Sequence, residues 1–235
     1  MKIYRVIGLM SGTSLDGIDA ALLQTDGENH IAREAFLTVP YAEDLRAQIR
    51  SCLGKTAAEA GTVERALTVA HAHAVERLLK QQGLRPQDID LIGFHGQTIS
   101  HAPARGHTCQ IGGGALLAKL TGGEGVTDFR TADAKAGGQG APVVPVYHQA
   151  LVGAVEKPVV LLNIGGVANV TYVGKKDELI AFDTGPGNAL IDDWMLQKTG
   201  KVFDEAGKIA ASGTIDQKVL QQLMAHSFFT APVHK

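Results

Sequence analysis

The chain has 235 residues, of which 45% are hydrophobic and 20% charged, and its formal net charge is −2 at pH 7. This length is sufficient for one large domain or two modest ones, with a buried core. So small a net charge provides no electrostatic field to hold nucleic acid or an anionic membrane, which excludes both partners and favours a small molecule.

Cysteine content and the N-terminal sequence indicate a cytoplasmic protein. Cys52 and Cys109 are the two cysteines of the chain, which argues against a disulfide framework and suits a reducing compartment. The N-terminal residues lack the pattern of an export signal, and no stretch reaches the roughly 18 apolar residues that a membrane span needs. We therefore expect neither a signal peptide nor a membrane span.

The first part of the chain predicts a β-meander followed by helices. Apolar runs joined by short polar turns predict three consecutive antiparallel strands: residues 3–10, 18–23 and 31–39. Two helices are predicted at residues 43–53 and 57–82, with Gly83 as the stop signal of the second. A short buried strand is predicted at residues 89–94.

The rest of the chain returns to strands after further helical segments. Helices are predicted at residues 114–120 and 143–152, and another begins near Ala189. Three more strands are predicted between the last two helices: residues 159–164, 168–173 and 179–183.

This organisation predicts two domains, residues 1–155 and 156–235. The segments VIGLMSGTSLDGIDAALL and VVLLNIGGVANVTYV share one plan, in which two apolar strands flank a polar, glycine-containing turn. Such self-similarity suggests a second domain built like the first. Each domain would then contribute one glycine-rich hairpin.

The first of these hairpins has the residue types of a phosphate site. The stretch SGTSLDGID has neither the Walker A order nor the GxGxxG order, so those two nucleotide-binding motifs are disfavoured. Gly12 allows backbone N–H groups to approach an anion, hydroxyls follow it, and Asp16 and Asp19 could hold a metal ion through water. The alternative is a plain hairpin turn in which the polar side chains bond to their own backbone.

The second hairpin is followed by a candidate catalytic carboxylate. NIGGVANVT also fits either a phosphate loop or an ordinary hairpin. In FDTGPGN, Asp183 ends a predicted strand, where a carboxylate facing a ligand could act as a general base. The alternative roles for Asp183 are an Asx-turn or a helix N-cap.

Further candidate residues follow the predicted strand at residues 89–94. GFHGQTISH places His95 and Gln97 just beyond that strand, where ligands of α/β proteins often bind. Arg130 and Asp133 follow in DFRTADAKAGGQGAP, and an arginine is suited to bidentate contact with a carboxylate or phosphate.

The histidines favour no metal site. His95, His101 and His107 recur every six residues, a spacing that matches no usual zinc pattern. His71 and His73 lie two apart on the long predicted helix, hence on different faces, and both are expected at the surface.

Six motifs in order give the chain a family resemblance. GLMSGTSLDGIDAAL, IGFHGQTISHAP, QIGGGALLA, DFRTADAKAGGQGAPVVP, LNIGGVANVTYV and AFDTGPGNALIDDW resemble the anhydro-N-acetylmuramic acid kinases. Several motifs of this length in one order are more specific than any single glycine-rich loop. They favour the functional interpretation of both hairpins and of Asp183.

The resemblance implies a fold and a reaction. The fold is the α/β, two-domain actin-like ATPase (ribonuclease H-like) fold, with ATP and Mg2+ in the cleft between the domains. The reaction opens the ring of 1,6-anhydro-N-acetylmuramic acid with water and transfers the γ-phosphoryl of ATP to the freed 6-oxygen. The product, N-acetylmuramic acid 6-phosphate, belongs to cell-wall recycling in the cytoplasm, and the family suggests a homodimer.

The resemblance also assigns roles to residues. The ATP-binding loop corresponds to a run of eight residues: Gly12, Thr13, Ser14, Leu15, Asp16, Gly17, Ile18 and Asp19. Gly165 and Gly166 correspond to a second nucleotide-binding turn, and Asp183 corresponds to the base that activates water. Four residues are expected to contact the sugar or its lactyl carboxylate: His95, Gln97, Arg130 and Asp133. Asp16 and Asp19 are expected to hold Mg2+ through water.

The resemblance leaves three hypotheses open. Family members continue beyond HSFFTAPVHK, so the second domain is expected to be incomplete, with weak ATP binding and a tendency to aggregate or dimerise. The first hypothesis is therefore an anhydrosugar kinase or an inactive fragment of one. The others are a different actin-fold sugar kinase and a non-catalytic fragment that binds a sugar or a partner.

Overall fold

A computed structural model describes residues 2–102, 105–176 and 178–231. The chain divides into two compact units, Met1–Val146 (unit 1) and Tyr147–Lys235 (unit 2). The boundary predicted from the sequence, between residues 155 and 156, lies further along the chain. Each unit has its own β-sheet with helices, so the fold is α/β.

In the described part of unit 1, six strands form a mixed sheet: β1 (Tyr4–Ser11), β2 (Gly17–Thr25), β3 (Ile31–Pro40), β4 (Leu91–Ala102), β5 (His107–Ile111) and β6 (Gly125–Thr127). The order is β3-β2-β1-β4-β5, and β6 pairs with the first half of β4. The antiparallel pairs β1–β2 and β2–β3 confirm the predicted meander. β4 runs parallel to β1, which places Gln97 beside Ser11 at the end of β1.

Helices cover this sheet. Unit 1 contains α1 (Glu43–Ser51), α2 (Gly61–Gln82), α3 (Gly114–Thr121) and α4 (Thr131–Lys135), and α5 (Pro145–Leu151) runs across the boundary. α2 packs against β2 and β3, and it also contacts α1 and α3. Gly83 ends α2 as predicted, with a left-handed φ of 64° and its N–H bonded to the last turn.

The core of unit 1 joins the sheet to α2. Its largest fully buried side chains come from β1, β2, β4, β5, the loop between β1 and β2, and the helices: Ile7, Leu15, Ile18, Leu22, Ile49, Leu67, His71, Leu78, Ile92, Phe94, Ile111 and Leu117. The prediction that His71 lies at the surface is therefore wrong, because its exposed fraction is 0%. It follows Leu67 by four positions and so lies on the buried face of α2. His73 is exposed as expected.

Unit 2 has a three-stranded antiparallel sheet in the order β7-β8-β9: β7 (Val159–Ile164), β8 (Val167–Val173) and β9 (Leu179–Pro186). Three helices follow: α6 (Ala189–Thr199), α7 (Lys208–Ser212) and α8 (Gln217–Met224). Val160, Leu162 and Ile164 alternate along β7 and are all more than half exposed. The one tryptophan of the chain, Trp194, lies on α6 and is 60% exposed.

Most predicted elements are confirmed, although β6, α7 and α8 were not predicted, and three further differences lie in unit 1. β4 continues to Ala102, well past the predicted end at residue 94, and pairs there with β5, which was not predicted. The short helix α4 was not predicted either. Glycines and polar residues dominate both regions, so hydrophobic periodicity carries little signal there.

Within the described ranges, no helix is both long enough and apolar enough to cross a membrane.

Candidate active site

The loop between β1 and β2 is a tight turn fixed from within. The N–H of Leu15 donates to the carbonyl of Gly12 over 3.2 Å. One carboxylate oxygen of Asp16 accepts the Ser14 hydroxyl at 2.7 Å and the Gly17 amide at 3.1 Å. Leu15 is buried and has a φ of 57°, unusual for a residue with a side chain. The apolar Leu15 side chain thus anchors a loop whose hydroxyl-bearing residues Thr13 and Ser14 are exposed.

Gly17 is required where this loop joins β2. A Cβ at Gly17 would lie 2.6 Å from the carbonyl oxygen of Val39 on β3. No ordinary Cβ contact is that short, so only glycine lets the loop and the end of β3 approach each other in this way.

Asp16 and Asp19, the predicted Mg2+ ligands through water, each have one carboxylate oxygen, Oδ2, that accepts no hydrogen bond from the described residues. Asp19 accepts the Thr38 hydroxyl at 2.6 Å through Oδ1, and Asp16 uses only its Oδ1. Among the described residues, no three His, Cys, Asp or Glu side chains come together as a metal site. Two carboxylates with spare oxygens fit Mg2+, which takes one or two carboxylates and completes its shell with water and phosphate.

Three buried polar side chains lie beneath this loop. Ser11 Oγ donates to Gln97 Oε1 at 2.5 Å and is 2.6 Å from the Tyr41 hydroxyl. Gln97 has an exposed fraction of 0%, and its Nε2 donates to the carbonyl of Thr98 at 3.2 Å. Gln97 is therefore buried in this structure, and its contact with the sugar stays a prediction.

His95 and Arg130 lie together, as the predicted role of both in sugar binding would need. The Nδ1 of His95 is 2.8 Å from the carbonyl of Gly96, which can only accept, so Nδ1 carries the proton. Its Nε2 is then free to accept from Arg130 Nε at 2.8 Å. Burial lowers the pKa of His95, and the charge of Arg130 lowers it further. This imidazole is therefore a neutral acceptor that orients the guanidinium.

Arg130 and Asp133 both fix the glycine-rich segment that follows α4. Arg130 Nη1 donates to the carbonyl of Gly140 at 3.1 Å, and the N–H of Gly140 donates to Asp133 Oδ2 at 2.6 Å. Burial also lowers the pKa of Arg130. His95, Arg130 and Asp133 thus form one bonded group, whereas Gln97 belongs to the group beneath the loop.

A cavity of about 310 Å3 opens beside His95. It is bounded by Phe94 and His95 in the first half of β4, by β5 and by the turn at Asp128 and Thr131. Polar side chains make up much of its lining: His95, Thr108, Gln110, Thr127, Asp128 and Thr131. A polar cavity of this size suits a sugar better than an apolar ligand.

In unit 2, the turn between β7 and β8 is bonded to the loop after β9. The N–H of Gly187 donates to the carbonyl of Gly166 at 3.0 Å, and the N–H of Asn188 donates to the carbonyl of Gly165 at 2.7 Å. A Cβ at Gly187 would overlap the Gly165 carbonyl oxygen. The two predicted glycines, Gly165 and Gly166, are therefore held by the segment that leads into α6.

Asp183 lies near the end of β9, opposite Asn169 of β8, and is exposed. In the described residues its carboxylate accepts no hydrogen bond, and the N-cap of α6 is Asn188 rather than Asp183. The structure thus gives it neither the Asx-turn nor the N-cap role considered above. The prediction that Asp183 ends its strand is wrong, because β9 continues to Pro186. The exposed carboxylate of Asp183 is nevertheless available for proton transfer.

Tyr41 and Thr38 were not predicted from the sequence. Tyr41 bonds to Ser11 and Asp16 at the two ends of the loop, and Thr38 of β3 bonds to Asp19 of β2. Neither residue belongs to a glycine-rich motif. Only the register of the meander, which pairs Asp19 with Thr38 and Gly17 with Pro40, could have indicated them.

A comparison with protein families shows which family this chain belongs to. The family described as anhydro-N-acetylmuramic acid kinase matches residues 4–235. This chain belongs to the anhydro-N-acetylmuramic acid kinase family. The match includes both glycine-rich hairpins, the His95–Arg130 group and Asp183.

Curated members of the anhydro-N-acetylmuramic acid kinase family are about half identical to this chain. The protein of that name from Rhizorhabdus wittichii is 50% identical over 97% of this chain and 65% of its own length. Those from Rhodospirillum rubrum and Paramagnetospirillum magneticum are each 50% identical and cover 97% and 95% of this chain. The chain spans 62% of the length of each of these two relatives.

The similarity to a solved structure, the ethanolamine utilization protein EutJ from Carboxydothermus hydrogenoformans, covers 95% of this chain and 65% of the EutJ chain. The two chains are 17% identical, with a TM-score of 0.34. A TM-score this low does not establish a common fold.

Proposed function

We propose that this chain carries the phosphate and sugar sites of an ATP-dependent kinase that opens and phosphorylates 1,6-anhydro-N-acetylmuramic acid. The observation that carries the proposal is the family match over residues 4–235, which includes both hairpins and the free carboxylate of Asp183. The reaction would belong to cell-wall recycling in the cytoplasm. An actin-like ATPase fold and a homodimer are part of the same proposal.

In the proposed reaction, Asp183 removes a proton from water while the water oxygen bonds to the anomeric carbon. The bond from that carbon to the 6-oxygen breaks, and the 6-oxygen takes the γ-phosphoryl of ATP with ADP as the leaving group. A carboxylate base is needed for the water step, whereas phosphoryl transfer mainly needs positioning and charge stabilisation.

Phosphate binding is assigned to the two hairpins. The run Gly12–Asp19 would offer backbone N–H groups and hydroxyls, and Gly165 and Gly166 would add a second turn. Backbone amides in such turns favour anions. Mg2+, held through water by Asp16 and Asp19, would supply positive charge to the phosphate oxygens.

Sugar binding is assigned to the group around the His95 cavity. Arg130 would pair with the lactyl carboxylate, since a guanidinium suits a planar anion. His95 would hold the guanidinium in place and Asp133 would support the Gly140 segment beside it.

The test follows oxygen from water into the product. The chain is incubated with ATP, Mg2+ and the anhydrosugar in 18O-labelled water, and the products are analysed by mass spectrometry. We expect a 6-phosphate with one 18O at the anomeric position. Asp183→Asn should lower the rate by at least about 100-fold, the usual contribution of a general base. Asp193→Asn, an exposed carboxylate on α6, is the matched control and should keep the rate.

The full-length Rhizorhabdus wittichii relative, assayed in parallel, separates a failed assay from an inactive chain. No product from this chain but product from the relative would contradict catalysis by the 235 residues alone. Sugar binding without product would favour a non-catalytic sugar-binding chain instead. Phosphorylation of a different sugar would favour another sugar kinase.

A further inference from the structure

Tyr41 contacts both ends of the loop between β1 and β2. Its hydroxyl is 2.6 Å from Ser11 Oγ, at the last residue before the loop. Its backbone N–H donates to the carbonyl of Asp16, at the last residue of the loop, over 3.3 Å. One residue therefore brackets the whole of Gly12–Asp16.

The direction of each hydrogen bond in this group can be assigned. Ser11 has one hydroxyl proton, and it is donated to Gln97 Oε1. The Gln97 amide is oriented by its Nε2, which donates to the carbonyl of Thr98. Tyr41 must therefore donate to Ser11, which completes a chain from Tyr41 through Ser11 to Gln97.

Burial makes this chain of bonds rigid. The exposed fractions are 8% for Tyr41, 2% for Ser11 and 0% for Gln97. Burial raises the pKa of Tyr41 to about 12, so its phenol remains a donor at physiological pH. A buried hydroxyl that loses its partner cannot turn to water instead, so each bond resists opening.

We propose that Tyr41 is a positioning residue that holds the Gly12–Asp16 loop in the conformation that receives the phosphates of ATP. The part concerning ATP rests on the function proposed above. Tyr41 touches no reacting atom. It acts through Ser11 and through the Asp16 carbonyl, which fix the two ends of the loop and leave its amides preorganised.

The first arm of the test measures loop motion without any ligand. Hydrogen exchange with mass spectrometry compares Tyr41→Phe with the unsubstituted chain, in peptides covering residues 12–17. Loss of one buried hydrogen bond should speed exchange there by roughly 5-fold, relative to peptides of β2 and β3. Tyr4→Phe, the same change at the other end of β1, is the matched control and should leave the loop unchanged.

The second arm measures affinity for ATP with Mg2+ by calorimetry. Tyr41→Phe should raise Kd by a factor of roughly 5, and Tyr4→Phe should not. Ser11→Ala removes the partner of the same hydroxyl, so adding Tyr41→Phe to it should have little further effect in either arm. Ser11→Ala also serves as the test if Tyr41→Phe does not fold.

The outcomes separate this proposal from the proposed function. Unchanged loop exchange in Tyr41→Phe and in Ser11→Ala would overturn the positioning role. If the unsubstituted chain does not bind ATP but the loop exchange rises as expected, the function fails for this chain and the positioning of the loop stands. A fall in melting temperature without faster loop exchange would mean that Tyr41 is only a packing residue.

Discussion

His71 shows how one buried ionisable group can govern acid stability. Its Nδ1 donates to the carbonyl of Leu67 at 2.9 Å, and its ring centroid lies 4.9 Å from that of Phe94. Within the described structure, its Nε2 has no hydrogen-bond partner. Burial lowers the pKa of His71 to about 4. A second proton on this ring would have to be held in an apolar core, which is unfavourable.

We expect the free energy of unfolding to fall as the pH is lowered from neutrality. The unfolded chain takes up a proton on His71 near the ordinary value of about 6.5, whereas the folded chain does so near 4. The contribution of His71 to the free energy of unfolding is thus constant above about pH 6.5. Between about pH 6.5 and pH 4 the free energy of unfolding falls by about 3 kcal/mol in total. Urea unfolding between pH 7 and pH 4 measures this loss.

His71→Gln keeps a hydrogen-bond donor but cannot titrate. Between pH 7 and pH 4 its free energy of unfolding should therefore lack most of the fall seen in the unsubstituted chain. His73→Gln, at an exposed position of the same helix, is the control. Equal pH dependence in His71→Gln and the unsubstituted chain would contradict the assignment.

At the scale of elements, unit 2 depends on contact between a turn and a loop. Gly187 lies so close to Gly165 that a side chain would displace one of them. The three amides of Gly187, Asn188 and Ala189 all donate to the carbonyls of that turn. Three backbone hydrogen bonds therefore hold the turn between β7 and β8 to the start of α6.

Gly187→Ala should separate these two segments. We expect a loss of roughly 1–3 kcal/mol in the stability of unit 2, the usual cost of overpacking, and faster hydrogen exchange at residues 187–189. Gly166→Ala is the control, because a Cβ there would meet only the Ala189 side chain at an ordinary 3.5 Å. Similar stability of the two variants would show that the close contact is not required.

Elements with strong hydrophobic periodicity could be predicted from the sequence, and those without it could not. The meander, α2 and the strands of unit 2 follow from apolar spacing and from stop signals such as Gly83. The end of β4, β5 and α4 are polar or glycine-rich and depend on tertiary pairing. The residue types of the loop indicated its role, but Tyr41 lies outside every glycine-rich motif and reaches the loop only through the pairing of β2 with β3.

At the scale of the whole molecule, the two units differ in how much apolar surface they bury. The main hydrophobic cluster draws its buried residues from unit 1 alone, between Ile7 and Leu117. Unit 2 leaves Val160, Leu162 and Ile164 of β7 exposed. Because apolar burial is the main stabilising contribution, unit 1 should be the more stable part.

Native-state hydrogen exchange in low denaturant measures this difference in the intact chain. We expect amides of β7, β8 and β9 to exchange through an opening of lower free energy than amides of β1, β2 and β4. Exchange of both sheets through one common opening would show instead that the two units unfold as a single cooperative body.

The position of Trp194 gives this chain a built-in optical probe. It is the one indole among 235 residues, and it lies on α6, which begins directly after Asn188. Its ring is 60% exposed and has the Lys198 ammonium 4.8 Å from its centroid. Selectively excited indole emission therefore originates in unit 2 alone. Circular dichroism reports the backbone of both units together. If the fluorescence and circular dichroism transitions occur at different denaturant concentrations, the two units unfold separately, and no added label is needed to see it.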